Sequence, residues 1–156
     1  MRAIASLVAA LAACLAIAGC GSESESDGAN GGDMSGSGGS SVEYDEQLSA
    51  TIVGMSKRDE SRRLAELTRF AWDKVYVYSE GASADQIAQD VGADVLTDKY
   101  YRTAGNLLVF VRDGEVLRAI SVVPDLLKWN GSNSFGRDVE LTPAHPGGSS
   151  GLLRIH

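Results

Sequence analysis

Cys20 is the residue whose type and setting point most directly to chemistry, because it closes the stretch Ile17-Ala18-Gly19-Cys20 after an apolar run and before an acidic one. Its thiol is the one side chain of that stretch nucleophilic enough to take a covalent lipid. Ala18 and Gly19 are small enough to let an extended backbone enter a peptidase. The other candidates are weaker. His145 and His156 stand far apart, with no Asp or Glu at ligand spacing, and do not make a metal site. Ser149 and Ser150 lie in Gly-Gly-Ser-Ser-Gly, which lacks the strand-to-helix setting of a nucleophile elbow. Gly147-Gly148 lacks the Lys and spacing of a phosphate loop. Asp73 and Lys74 could pair or exchange protons, but decorating a strand or fixing its entry asks less of them. No catalytic residue, metal ligand or cofactor is therefore assigned.

The elements around Cys20 are those of an export signal. Arg2 supplies a positive start and Ala3 to Ala18 an uncharged apolar segment, too short at ~1.5 Å per helical residue to span ~30 Å of hydrocarbon comfortably. With an aliphatic residue at −3 and small ones at −2 and −1, the segment resembles the lipobox of bacterial lipoproteins. The resemblance implies cleavage between Gly19 and Cys20, and a diacylglyceryl thioether on Cys20 as the new N-terminus. Leu11-Ala12-Ala13-Cys14 is a second fit, set aside because only ten residues precede it and apolar sequence continues past it. Residues 1–19 are thus expected to be a lipoprotein signal peptide, and the protein to be extracytoplasmic, held to the bacterial cell membrane through the lipid on Cys20.

This division settles the cysteines and the charge. The chain has two Cys, Cys14 and Cys20, so the part expected to fold carries no thiol and must hold together by its core. The formal net charge is −7, but seven acids and no Lys or Arg lie between Gly21 and Glu46, leaving 14 acidic against 13 basic side chains from Gln47 onward. A nearly neutral domain lacks the basic face that nucleic-acid binding needs. Residues 20–42, rich in Gly, Ser and acids, read as a disordered tether spanning roughly 25 Å as a flexible coil. Lys57, Arg58, Arg62 and Arg63 could touch anionic lipid, or form an ordinary solvated face.

Residues 43–156 read as one domain. Leu48, Ile52 and Met55, then Leu64, Leu67 and Ala71, recur at helical spacing, as two helices or as a frayed one interrupted near Gly54 and Ser56. Trp72 to Tyr78 changes period: Trp72, Tyr76 and Tyr78 fall on one face of a strand, and Val75 and Val77 on the other. Ser83 with Gln86 forms a capping box, and Gly92 stops the helix it opens. Asn106 to Arg112 and Glu115 to Val123 flank Asp113-Gly114, a hairpin turn that pairs Arg112 with Glu115, Val111 with Val116, Phe110 with Leu117 and Val109 with Arg118. Both faces of that hairpin are apolar, which implies central strands. After a loop from Trp129 to Gly136, Val139 to Thr142 reads as a short strand and Leu152 to Ile155 as an edge. The expected fold is α+β, two to three helices on an antiparallel sheet of about four strands.

The run Phe70-Ala-Trp-Asp-Lys-Val-Tyr-Val-Tyr, the Ser-capped helix and Asn106-Leu-Leu-Val-Phe-Val-Arg-Asp-Gly together resemble a group of uncharacterised exported bacterial proteins. The likeness covers about residues 70–123 and implies architecture alone. Function then rests on aromatics. Trp129, in Gly-Ser-Asn-rich surroundings, with Tyr76 and Tyr78, is the candidate binding surface for an envelope protein or peptide; packing beneath the helices is the other reading of Trp72 and Tyr76. A noncatalytic binding module is expected, with an envelope hydrolase as the alternative.

Overall fold

The computed structural model describes residues 41–147 and 151–156. Gly19, Cys20, the signal segment, most of the tether and Ser149–Ser150 lie outside the described residues. No described helix is long and apolar enough to cross a membrane. The fold is α+β, as the periodicities indicate. In chain order it runs β1 (Glu43–Tyr44), α1 (Glu46–Arg58), β2 (Arg62–Arg63), α2 (Leu64–Leu67), β3 (Lys74–Tyr78), α3 (Ala84–Val91), β4 (Asn106–Arg112), β5 (Glu115–Val122), β6 (Leu127–Lys128), β7 (Ser134–Gly136), β8 (Glu140–Pro143) and β9 (Leu153–Ile155). The strands divide into two sheets, β1-β5-β4-β3-β7 and β2-β8-β9-β6, and not into one sheet of about four. Both are mixed, because β1 runs parallel to β5 and β6 parallel to β9.

Local chemistry explains the helix ends. The Asp45 carboxylate accepts the Leu48 N–H at 2.8 Å and caps α1, which continues unbroken through Gly54 and Ser56 with Leu48, Ile52 and Met55 buried along one face. Ser83 caps α3 through the Gln86 N–H, and Gly92, at φ 87°, closes it in the left-handed conformation that favours glycine. The second helical stretch is only a four-residue turn, because Arg62 and Arg63 are drawn into an extended pairing with β8 and Ala71 falls beyond it.

The hairpin begins as its turn dictates, with Arg112 opposite Glu115 and Val111 opposite Val116. A bulge then shifts the register, so that Phe110 faces Arg118 and Val109 faces Ala119; Leu117 becomes the extra residue and is 42% exposed. One residue of slip moves side chains to the other face. Ile120 accordingly packs with Leu108 and Phe110, while Ala119 packs with Leu107 and Val109, the reverse of strict alternation.

Two cores result, on opposite faces of the five-stranded sheet. The larger brings Val75, Val77, Leu108, Phe110 and Ile120 against α1 and against Leu127, Leu141, Leu153 and Ile155 of the second sheet. The smaller packs Leu107, Val109 and Ala119 beneath Ile87 of α3 and Val95 and Tyr101 of the following segment. The six residues from Asn106 to Val111 are all buried, consistent with a central β4. Trp72 joins the larger core, on the face opposite Tyr78. Regular extension starts only at Lys74, so alternation counted backwards from Tyr76 misplaces Trp72. The C-terminal strand β9 is central in its sheet rather than an edge, and β7, within the stretch that reads as a loop, closes the other sheet against β3.

Candidate functional site

Side chains at the β1 end of the five-stranded sheet leave two open clefts. β1 pairs with only Ile120 and Ser121, on the outer side of a β5 eight residues long. Asp45 donates its N–H to the Ser121 carbonyl at 3.4 Å, a long bond that ends the contact. Among the described residues, no strand pairs with Glu115–Ala119 on that side. Successive residues of a strand point to opposite faces, and β1 follows this rule. Glu43 forms an ion pair with Arg118, while Tyr44, opposite Ser121, lines the cleft on the side of the smaller core.

That cleft has a volume of about 490 Å³, within the range of ligand pockets. Tyr44 and Tyr100 are 61% and 40% exposed and stand at its walls with Leu96. Its floor is polar: the buried Tyr101 hydroxyl and Ser121 hydroxyl lie 2.7 Å apart. Asp98 and Arg102 also line it. The cleft on the other side holds about 400 Å³ and is lined by Phe70, Leu67 and three arginines, Arg62, Arg69 and Arg118, with Asp45 and Glu66. The Arg118 guanidinium lies 5.1 Å from the centre of the Phe70 ring, which itself meets Phe110 edge-on at 5.0 Å. Phe70 thus packs on the core, and the Arg118 guanidinium lies over its ring.

The residues singled out from sequence are dispersed. Tyr78 is buried, its hydroxyl 3.2 Å from the Asp90 carboxylate, which also receives Gln86 Nε2 and Asn133 Nδ2. Tyr76 is half-buried against the smaller core, whereas Trp129 is half-buried against the larger one, so the three form no single platform. Asp73 anchors the hairpin, its carboxylate accepting the Asp113 N–H at 2.8 Å in the turn. His156 sits beside Thr142, with Nε2 and Oγ1 3.0 Å apart, and the described residues contain no group of three or more potential metal ligands. Arg58 and Arg62 of the basic stretch both pair with Glu60, whose carboxyl they hold below the usual range; Arg63 faces Glu140 at 3.5 Å. Tyr44 and the sheet edge escape a reading by motif. A Val-Glu-Tyr alternation immediately before a capping Asp is the signal that would have found them.

Two tyrosines carry perturbed hydroxyls, and both are held neutral. Burial raises Tyr78 above the ordinary 10.0, with the Asp90 charge adding to it; burial likewise raises Tyr101, opposed by its bond to Ser121. Both are neutral hydrogen-bonding hydroxyls, Tyr78 donating to Asp90 and Tyr101 paired with Ser121, and not bases poised near neutrality. A group whose folded pKa is raised stabilises the fold fully below its unfolded pKa and loses that contribution as pH rises through the folded value. The unfolding free energy is therefore expected to fall above pH 10, with Tyr78→Phe flattening part of the fall. Urea titrations at successive alkaline pH values, alongside tyrosinate absorbance, check this; equal slopes in wild type and variant would refute it.

A scan against protein-family models and searches of curated proteins and of solved structures find no match to this chain.

Proposed function

We propose that this protein is an extracytoplasmic lipoprotein, anchored to the bacterial cell membrane through Cys20, whose domain is a noncatalytic module binding an extended protein or peptide segment at the β1–β5 edge. One observation carries the binding role: a central-sheet strand of eight residues has an outer partner of two, with open clefts on both faces beside it. Strand addition suits this arrangement. Main-chain hydrogen bonds supply affinity, and pockets on alternate sides read alternate side chains. The exposed Tyr44 and Tyr100 supply stiff, amphipathic contact area at little entropic cost.

The two halves of this reading have separate tests. Metabolic labelling with an alkyne fatty acid should mark the wild type, and Cys20→Ala should abolish label and processing together; continued labelling of that variant would reject the anchor. For the domain, a panel of synthetic extended peptides is titrated into the purified full chain in detergent, with amide hydrogen exchange locating the site. Saturable binding that protects the Ala119 and Ser121 region supports the edge. Absence of any saturable binding, or protection confined elsewhere, rejects it.

A further inference from the structure

Where a strand could add to β5 is restricted by the molecule itself. Toward the hairpin turn the bulge pushes Leu117 out of the ladder, and a bulge twists an edge away from further pairing. The regular remainder, at Ile120 and Ser121, is taken by Glu43 and Tyr44. An incoming strand therefore has one good place to pair, and β1 occupies it.

The hold of β1 is slight. It is two residues long, both exposed, and parallel pairs are the less stable kind. Its one ion pair among the described residues, Glu43 with Arg118, joins side chains 49% and 37% exposed, and pairs so exposed contribute little. The residue that follows it, Asp45, is the N-cap of α1. Asp45 keeps capping α1 through its carboxylate and accepts the Ser49 N–H with its carbonyl at 3.0 Å, so the helix start does not depend on β1 staying in place.

Resting on the edge-binding reading, we infer that β1 is an exchangeable strap, a built-in substitute for the partner. The segment that replaces it runs parallel to β5 and presents an acidic residue followed by an aromatic one. The seat of β1 defines that chemistry. Glu43 meets Arg118, and the cleft beyond holds Arg62 and Arg69. Arg62 is engaged by Glu60, and Asp45 is engaged at the α1 cap. Arg69 makes no ion pair among the described residues, and Glu66 is the remaining acid lining the cleft. On the other side Tyr44 enters the cleft of Tyr100 and Leu96, above the Tyr101–Ser121 floor. A partner repeating the acidic–aromatic order makes the same two contacts, and a longer one extends past the two residues that β1 offers.

The experiment uses the full chain in detergent and two labelled extended peptides, one centred on Glu-Tyr and one on Lys-Tyr, read by fluorescence anisotropy. The Glu-Tyr peptide is expected to bind roughly threefold to fivefold tighter, the scale of an exposed charge pair. Arg118→Glu should invert the preference, and Arg118→Gln, the neutral isostere of that Glu, should erase it without inverting it. Replacing Glu43 and Tyr44 together by glycine should tighten binding several-fold, since it raises the fraction of molecules with an open edge. Equal binding of both peptides, unchanged by these substitutions, would overturn the strap while leaving edge binding intact. Binding of neither peptide, including by the glycine variant, defeats both readings, as does self-association of that variant in place of peptide binding.

Discussion

Trp72→Ala is expected to destabilise the domain by about 3–5 kcal/mol, the usual penalty for truncating a fully buried Trp. Trp72 has no exposed surface and is among the largest side chains so enclosed. Its ring meets Phe110 at 5.3 Å, Nε1 donates to Thr68 Oγ1 at 2.9 Å, and its carbonyl accepts Arg137 Nη1 at 3.0 Å. It ties the turn after α2 to the middle of β4. The residual cavity would lie inside the larger core, where α1 and both sheets contribute side chains and none can collapse without moving an element. Against a total stability of roughly 5–15 kcal/mol, the loss is severe. Urea unfolding measures it, with Trp129 as the remaining fluorophore in the variant. Trp72→Phe keeps much of the ring but loses the Nε1 donor, and should fall between; a loss below about 1 kcal/mol for Trp72→Ala would contradict the packing account.

The contrast between Trp72 and Ser83 shows what the sequence makes legible. Ser83, Gln86 and Gly92 mark α3 because caps are local chemistry, complete within one turn of chain. The Asp113-Gly114 turn is legible for the same reason: both residues adopt positive φ, at 53° and 84°. Beyond two pairs the hairpin register ceases to be local. Val116 and Leu117 are both apolar, so periodicity does not choose between them, and the bulge is consistent with contacts distant in sequence that bring Arg118 over Phe70 and Ile120 into the core. Strands of two or three residues, such as β2, β6 and β7, have no period to detect and exist through their partners. The candidate site shares that origin. Tyr100 and Tyr101 stand out as aromatics, but Tyr44 sits at the tether boundary, and the incomplete edge beside it comes from pairing a two-residue strand with an eight-residue one.

Asn106 supplies the other large effect, through satisfaction of polar groups rather than volume. It opens β4 with no exposed surface, and its amide serves the backbone of a different sheet: Oδ1 accepts the Leu127 N–H at 2.9 Å, while Nδ2 donates to the Leu127 carbonyl at 3.3 Å and to Asp125 Oδ1 at 2.7 Å. One side chain thus pairs with both backbone groups of the residue where β6 begins. Asn106→Ala removes these partners from a buried N–H and C=O, and each group so left costs about 1–3 kcal/mol; a total near 3 kcal/mol is expected from urea unfolding. Asn106→Asp separates polarity from shape. It retains an acceptor for the Leu127 N–H, but turns its second oxygen, where Nδ2 had donated, toward the Asp125 carboxylate and the Leu127 carbonyl. Burial and the Asp125 charge both raise the pKa of the new carboxyl. The sign follows: with a folded pKa above the unfolded one, its contribution is retained at low pH and lost as pH rises. Asn106→Asp should therefore be at least as damaging as Asn106→Ala at neutral pH and recover relative to it in acid. Adding Asp125→Asn should restore stability at neutral pH, because an amide again donates where two carboxylates had faced each other. If Asn106→Asp and Asn106→Ala instead lose equal stability at every pH, Asn106 acts by filling space alone.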